Sequence, residues 1–179
     1  MFDVKKPFVI FLYGLPSSGK TSLANNVKEK INGDIAHLDG DDIRKNVSKD
    51  LGFSGIDRIE NHKRILDLVE ESFNSNTPSI VSIILPYNSS RVLNREKFGS
   101  NYIQIYLDCP LFECERRDVK GLYKKARFGE IRNFTGVDSK FELSEDNDLV
   151  VETEHLPVDF CGDLIIKFLC DSNFLDCDF

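Results

Sequence analysis

The run Phe8-Val9-Ile10-Phe11-Leu12-Tyr13-Gly14-Leu15-Pro16-Ser17-Ser18-Gly19-Lys20-Thr21-Ser22 joins two halves of opposite character. Its first six residues are continuously apolar, as expected of a central parallel strand covered on both faces. From Gly14 to Thr21 it fits G-x-x-x-x-G-K-[ST] at every position. The glycines allow a tight path that turns successive N–H groups into one concavity. With the positive end of the helix that starts there, this nest binds phosphate oxygens. Lys20 is placed to reach β- and γ-phosphates, and the Thr21 hydroxyl is suited to Mg²⁺. Gly14 through Ser22 are therefore the expected nucleotide-binding residues. The loop by itself leaves the second substrate undefined, because switch GTPases use it too.

Working outward, Leu23, Ala24, Val27 and Ile31 recur at helical spacing, so a helix opens at about Lys20. Residues 35–38 read as a second short strand ending at Asp39. Ile65, Leu68, Val69 and Phe73 predict a helix over 57–73. Residues 79–85 read as a third strand stopped by Pro86, and 102–107 as a fourth stopped by Pro110. A helix over 111–119, a short strand over 149–151 and a closing helix over 158–170 complete the alternation, which means a parallel α/β sheet. The tail 171–179 mixes acids with Phe174, Leu175 and Phe179, and docking or fraying both stay open. Length bounds the chain at a single domain over 1–179.

Composition excludes several classes. A net charge of −7 speaks against a nucleic-acid polymer as partner, since phosphate backbones demand a basic surface. No stretch approaches the roughly 20 apolar residues of a membrane helix. The N-terminal apolar run ends at Gly14 without a cleavage site, so a signal peptide is not expected. Cys109, Cys114, Cys161, Cys170 and Cys177 are odd in number and lack CxxC spacing, which disfavours zinc and a disulfide framework. They are read as buried or neutral residues in a reducing cytoplasm. His37, His62 and His155 form no acid-flanked cluster and are assigned no role.

The acceptor side starts at the end of the second strand, Asp39-Gly40-Asp41-Asp42-Ile43-Arg44. Parallel strands open their carboxyl ends on one crevice. Asp39 and Asp41 are thus expected to face the γ-phosphate, holding Mg²⁺ or orienting and deprotonating a hydroxyl. Capping of the next helix is the alternative for one of them. Arg44, Arg58 and Asn61 supply donors for an anionic nucleotide, the last two on one helical face; solvated surface arginines are the alternative. Phe53 and Phe134 are aromatics in polar loops, able to enclose a base or simply to pack. Between 120 and 135 apolar periodicity fades, and Lys120, Lys124, Lys125, Arg127 and Arg132 crowd together as a mobile lid or a solvated loop.

Together Gly14-LPSSGKTS, Leu38-DGDDIR, Asp50-LGFS, Asp57-RIEN, Pro86-Tyr87, Arg117-DVKGLYKKARFGEI and Asn133-FTGVD resemble the adenylylsulfate kinase family. The resemblance implies a P-loop kinase three-layer α/β sandwich with a central parallel sheet and a basic lid over about 117–136. It implies ATP and Mg²⁺, and transfer to the ribose 3′-hydroxyl of adenosine 5′-phosphosulfate (APS) to give PAPS. It also implies catalytic roles for Lys20, Asp39 and Asp41, and Thr21 with Asp39 at the metal. On the acceptor it implies Asp41, Arg44, Phe53, Arg58, Asn61, Ile84, Leu85, Lys120, Asn133 and Phe134, with the two Phe rings enclosing adenine. Arg117 would lie against the ATP base. A homodimer is compatible with the family.

One position departs from the pattern: Leu85 stands where the family commonly has Ser before Pro, a position often described as a phosphoserine site. Without a hydroxyl no phosphoenzyme forms there, and direct in-line transfer needs none. The change makes that wall more apolar and keeps a second reading open, a kinase of the same fold acting on a cytidine diphosphate derivative. A non-catalytic nucleotide-binding regulator, or a GTPase-like switch, is a third reading. Intact Lys20, Thr21, Asp39 and Asp41 argue against it, and so does the lack of an NKxD motif.

Overall fold

The computed structural model describes residues 1–177. In chain order the strands are β1 (Asp3–Val4), β2 (Val9–Tyr13), β3 (Ala36–Asp39), β4 (Ser79–Ile83), β5 (Tyr102–Asp108), β6 (Leu149–Glu152) and β7 (Leu175–Asp176). The helices are α1 (Lys20–Lys30), α2 (Gly40–Asn46), α3 (Gly55–Asn74), α4 (Asn88–Phe98), α5 (Leu111–Arg117), α6 (Leu122–Arg127) and α7 (Val158–Asp171). Five strands form one parallel sheet in the order β3-β4-β2-β5-β6. The expected α/β sandwich is what the chain builds, with β2 in the centre and fully buried.

Each face of the sheet carries its own core, as strict alternation along buried strands requires. Phe8, Ile10 and Leu12 pack with Leu23, Val27, Ile165 and Leu169 of α1 and α7. Val9, Phe11 and Tyr13 pack with Ile65, Leu66 and Val69 of α3 on the other side. A small third cluster gathers Cys114, Tyr123, Ala126 and Phe134 under the basic segment. The segment read as aperiodic from 120 to 135 therefore contains a short helix, α6, whose only buried members are Tyr123 and Ala126. Two inward residues in six are too few to register as a periodic stripe.

Two further expectations are corrected, and the open reading of the tail is decided. The third strand ends at Ile83, and Leu85 beyond it turns to φ 45°. Helix α4 was not expected at all, because its buried face is polar: Ser90, Arg91 and Asn94 point in with Phe98 while Val92 and Leu93 are exposed. The tail docks, with Phe174 and Leu175 buried and β7 pairing antiparallel with β1. Cys170 and Cys177 form a disulfide that ties this strand to α7, whereas Cys109, Cys114 and Cys161 are free and buried. Phe179 lies outside the described residues. Among the described residues no helix is long and apolar enough to cross a membrane.

Candidate active site

Gly14 leaves β2 at φ 156°, where a Cβ would come within 2.8 Å of the Leu107 carbonyl, so only glycine lets the loop start beside β5. Gly19, at φ 99°, then turns the chain into α1. Lys20 is 9% exposed, and its ammonium is folded back onto the loop: Nζ donates to the carbonyls of Gly14 (3.0 Å) and Leu15 (2.6 Å) and to Ser18 Oγ (3.3 Å). Burial pulls its pKa down to about 8, against the carboxylates of Asp41 and Asp39, which hold it up.

The carboxyl ends of β2, β3 and β4 open on a cavity of about 550 Å³. Pro16, Ser17, Gly19, Lys20, Thr21 and Ser22 line its donor end. Gly14, Leu15 and Ser18 lie behind them as the partners of Lys20. Asp39, Asp41, Arg44, Phe53, Arg58, Asn61, Ile84, Leu85, Lys120, Asn133 and Phe134 line the remainder. Arg117 is not brought there. Its guanidinium is held by Glu113 (2.7 Å) and the carbonyls of Thr153 and Glu154.

The two carboxylates divide the work of their strand end. Asp39 caps α2, with Oδ1 accepting from the Asp41 amide at 2.9 Å. Its Oδ2 accepts from Thr21 Oγ1 (2.6 Å) and Ser82 Oγ (2.9 Å), and His37 Nε2 sits 3.0 Å from the same serine. Burial by itself would raise the Asp39 carboxyl, but these three hydrogen bonds outweigh it and leave it lowered. The expected cap is thus real and coexists with a position beside the phosphate loop. The Thr21 hydroxyl and Asp39 carboxylate form an oxygen-only donor pair, which suits a hard cation of the Mg²⁺ kind. Asp41 lies two residues further on, half-exposed, and pairs with Lys120 from the lid.

The arginines bind protein carbonyls. Arg44 donates to Gly52 O at 2.6 Å with its guanidinium 4.9 Å from the Phe53 ring. Arg58 donates to Phe53 O at 3.0 Å and to Asn133 O, which spans the two loops that carry the aromatic rings. Asp138 fastens the second loop by accepting from the amides of Asn133 (2.8 Å) and Phe134 (2.5 Å). Phe134 stands edge-on to Tyr123, centroids 4.9 Å apart, and the Tyr123 hydroxyl donates to Pro16 O at 3.0 Å. The lid therefore rests on the phosphate loop.

Sequence reading missed Ser82, His62 and Thr135, all on the cavity wall. His62 Nε2 donates to Asn94 Oδ1 at 2.8 Å, and burial holds its imidazole down at about 4, so it is neutral. The hydroxyl of Thr135 and the Asn61 side-chain oxygen are buried without a protein partner among the described residues. Buried polar atoms left so are expected to meet a ligand or water. His155 does have acidic neighbours, since its ring and the Glu152 and Glu154 carboxylates lie within 4.8 Å of one another, at the surface beyond β6.

A phosphate loop at the head of a parallel sheet, facing a carboxylate pair across one cavity, defines a nucleotide-dependent phosphotransferase of the P-loop kinase class. The sequence profile described as Adenylylsulphate kinase matches residues 6–152, and the chain belongs to that family. It is 42% identical over 168 residues to a probable adenylyl-sulfate kinase of Bacillus subtilis, covering 92% of this chain and 84% of that one. It is 38% identical over 174 residues to an adenylyl-sulfate kinase of Clostridium acetobutylicum, covering 96% and 87%. The APS kinase of Mycobacterium tuberculosis, solved in complex with AMPPNP and APS, superposes with a TM-score of 0.85 at 35% identity, covering 92% of this chain and 98% of that one.

Proposed function

We propose that the chain transfers the γ-phosphoryl group of ATP to the ribose 3′-hydroxyl of APS, giving ADP and PAPS by direct in-line displacement. The observation that carries this is the single cavity in which the phosphate loop, Asp41 and the Phe53–Phe134 pair face one another. In this reading Asp41 accepts the 3′-hydroxyl proton as its oxygen bonds to the γ-phosphorus. The bond from that phosphorus to the β–γ bridging oxygen breaks, and ADP leaves. Lys20 exchanges its loop carbonyls for phosphate oxygens. Thr21 and Asp39 would hold Mg²⁺, whose contribution when bound is to neutralise charge on the β- and γ-phosphates. Arg44 and Arg58 shape the aromatic slot, and Lys120 leaves Asp41 for the acceptor's anionic group. The proposal keeps residues 1–179 as one catalytic domain, and light scattering tests for the homodimer.

The test is a truncation of the slot. Phe53→Ala should weaken acceptor binding by about 1–3 kcal/mol, the usual worth of one stacked base. ATP affinity should stay the same. Phe53 is 54% exposed, so its loss removes no core. Phe134 is 8% exposed and packs on Tyr123, so Phe134→Ala should lower thermal stability as well. An acceptor Kd unmoved by Phe53→Ala would show that the base is held elsewhere.

Leu85 favours one competing acceptor, since a buried apolar wall in left-handed conformation replaces a hydroxyl. Rapid quench with γ-labelled ATP should give no acid-stable phosphoprotein. Leu85→Ser should leave APS turnover within about tenfold, as a neutral hydrogen bond is worth roughly 0.5–1.5 kcal/mol. Preference for a cytidine diphosphate conjugate over APS in a coupled ADP assay would overturn the proposed substrate.

A further inference from the structure

Arg91 is 2% exposed, yet its hydrogen bonds among the described residues all go to uncharged oxygens. One guanidinium nitrogen donates to the Leu85 carbonyl. Another donates to the Asn88 side-chain oxygen and the Glu142 carbonyl. Nε has no partner, and the guanidinium lies 4.7 Å from the Tyr13 ring centroid. A cation buried with no carboxylate in direct hydrogen-bond contact among the described residues is a costly arrangement for mere space-filling.

Its partners explain what it does. Leu85 lines the acceptor cavity at φ 45°, a conformation that a non-glycine residue keeps only when its surroundings impose it. Tyr13 ends β2 immediately before Gly14, at the root of the phosphate loop. Glu142 belongs to the connection that wraps the cavity wall from outside: its amide donates to Pro86 O at 2.9 Å, and its carboxylate accepts from the Asn88 amide at 2.7 Å. One side chain thus touches the acceptor wall, the root of the donor loop and the strap over both.

We infer that Arg91 is a positioning residue, which holds the Leu85–Pro86 wall in register with Tyr13 and so sets where the acceptor sits relative to the γ-phosphate. A planar fork serves two carbonyl directions at once, and a lysine ammonium does so poorly. The inference rests on the proposed reaction, because its first readout needs an acceptor.

The experiment compares Arg91→Met and Arg91→Lys with the unaltered chain for turnover of APS and ATP. Arg91→Met should raise the acceptor KM and lower kcat by about tenfold each, within the range that small misplacements produce. The ATP KM should stay within about twofold, and Arg91→Lys should fall between. Unchanged constants, or equal losses for both substrates in step with a fallen Tm, would overturn the inference. If Arg91→Met does not fold, Arg91→Lys is measured with Leu85→Gly, since glycine takes positive φ unaided. The lysine change should then raise the acceptor KM less than it does beside Leu85, and an equal rise would overturn the inference. If the unaltered chain does not use APS, the proposed reaction fails, and a crystal structure of Arg91→Lys carries the test. Leu85 leaving positive φ supports the positioning role, and Leu85 unmoved refutes it.

Discussion

Lys20→Ala is expected to lower kcat by about 10²–10³, the usual cost of removing one preorganised donor from a developing charge. The Lys20 ammonium is the one cation in the Gly14–Thr21 run. It sits in the loop between the Gly14 and Leu15 carbonyls, and only a bound phosphate offers it a better partner. The fold should survive, since a desolvated cation is removed together with its hydrogen bonds. The burial of Lys20 also predicts a pH signature. With the Lys20 pKa lowered to about 8 from an ordinary 10.5, the unfolded chain binds a proton between those values that the folded chain has released. Stability contributed by this group therefore rises with pH through that window. A bound triphosphate favours the charged amine, so ATP binding takes up a proton above about pH 8 and weakens as pH climbs. Calorimetry at pH 8.5 in buffers of different ionisation enthalpy reads the uptake, which should vanish in Lys20→Ala. Near-normal turnover in that variant would falsify the phosphoryl-transfer assignment itself.

The parts of this molecule legible in the sequence are those where one local pattern carries the structure. β2 is apolar because both its faces are covered, and Gly14–Thr21 is a motif whose glycines take positive φ. The strand-end rule also brought Asp39 and Asp41 to the crevice. It could not divide their tasks, because the donors that saturate Asp39 arrive from α1 and β4, 18 and 43 residues away. Arg58 was read as an acceptor contact from its helical face, yet its bond to Asn133 O depends on a loop 75 residues distant. Helix α4 escaped for a different reason. Its inward face is Ser90, Arg91 and Asn94, and its outward face carries Val92 and Leu93, so its apolar pattern points away from the core. The inversion marks a helix recruited to organise buried polar groups, with Asn94 holding His62 and Tyr102 as Arg91 holds Leu85.

Asp41→Asn is expected to cost about 10²–10⁴ in kcat, the span of a general-base contribution. The structure makes this substitution informative because shape, cap and neighbours all stay. The Asp41 amide still donates to Asp39, so the start of α2 is kept. The ion pair with Lys120 is exposed on both sides, and losing it changes stability by no more than about 1 kcal/mol. Asp39 cannot take over the proton. Its two oxygens already accept from Thr21, Ser82 and the Asp41 amide, and those bonds lower its pKa, which makes it the poorer base. An asparagine at 41 can still accept a hydrogen bond from the 3′-hydroxyl, so acceptor KM should move little while kcat falls. Lys120→Ala is the companion measurement. It frees the Asp41 carboxylate but strips a cation from the acceptor end, so its loss should appear in acceptor KM. The outcome that removes Asp41 from the chemistry is a variant whose melting temperature drops while its rate does not. Asp41 would then do nothing more than open a helix.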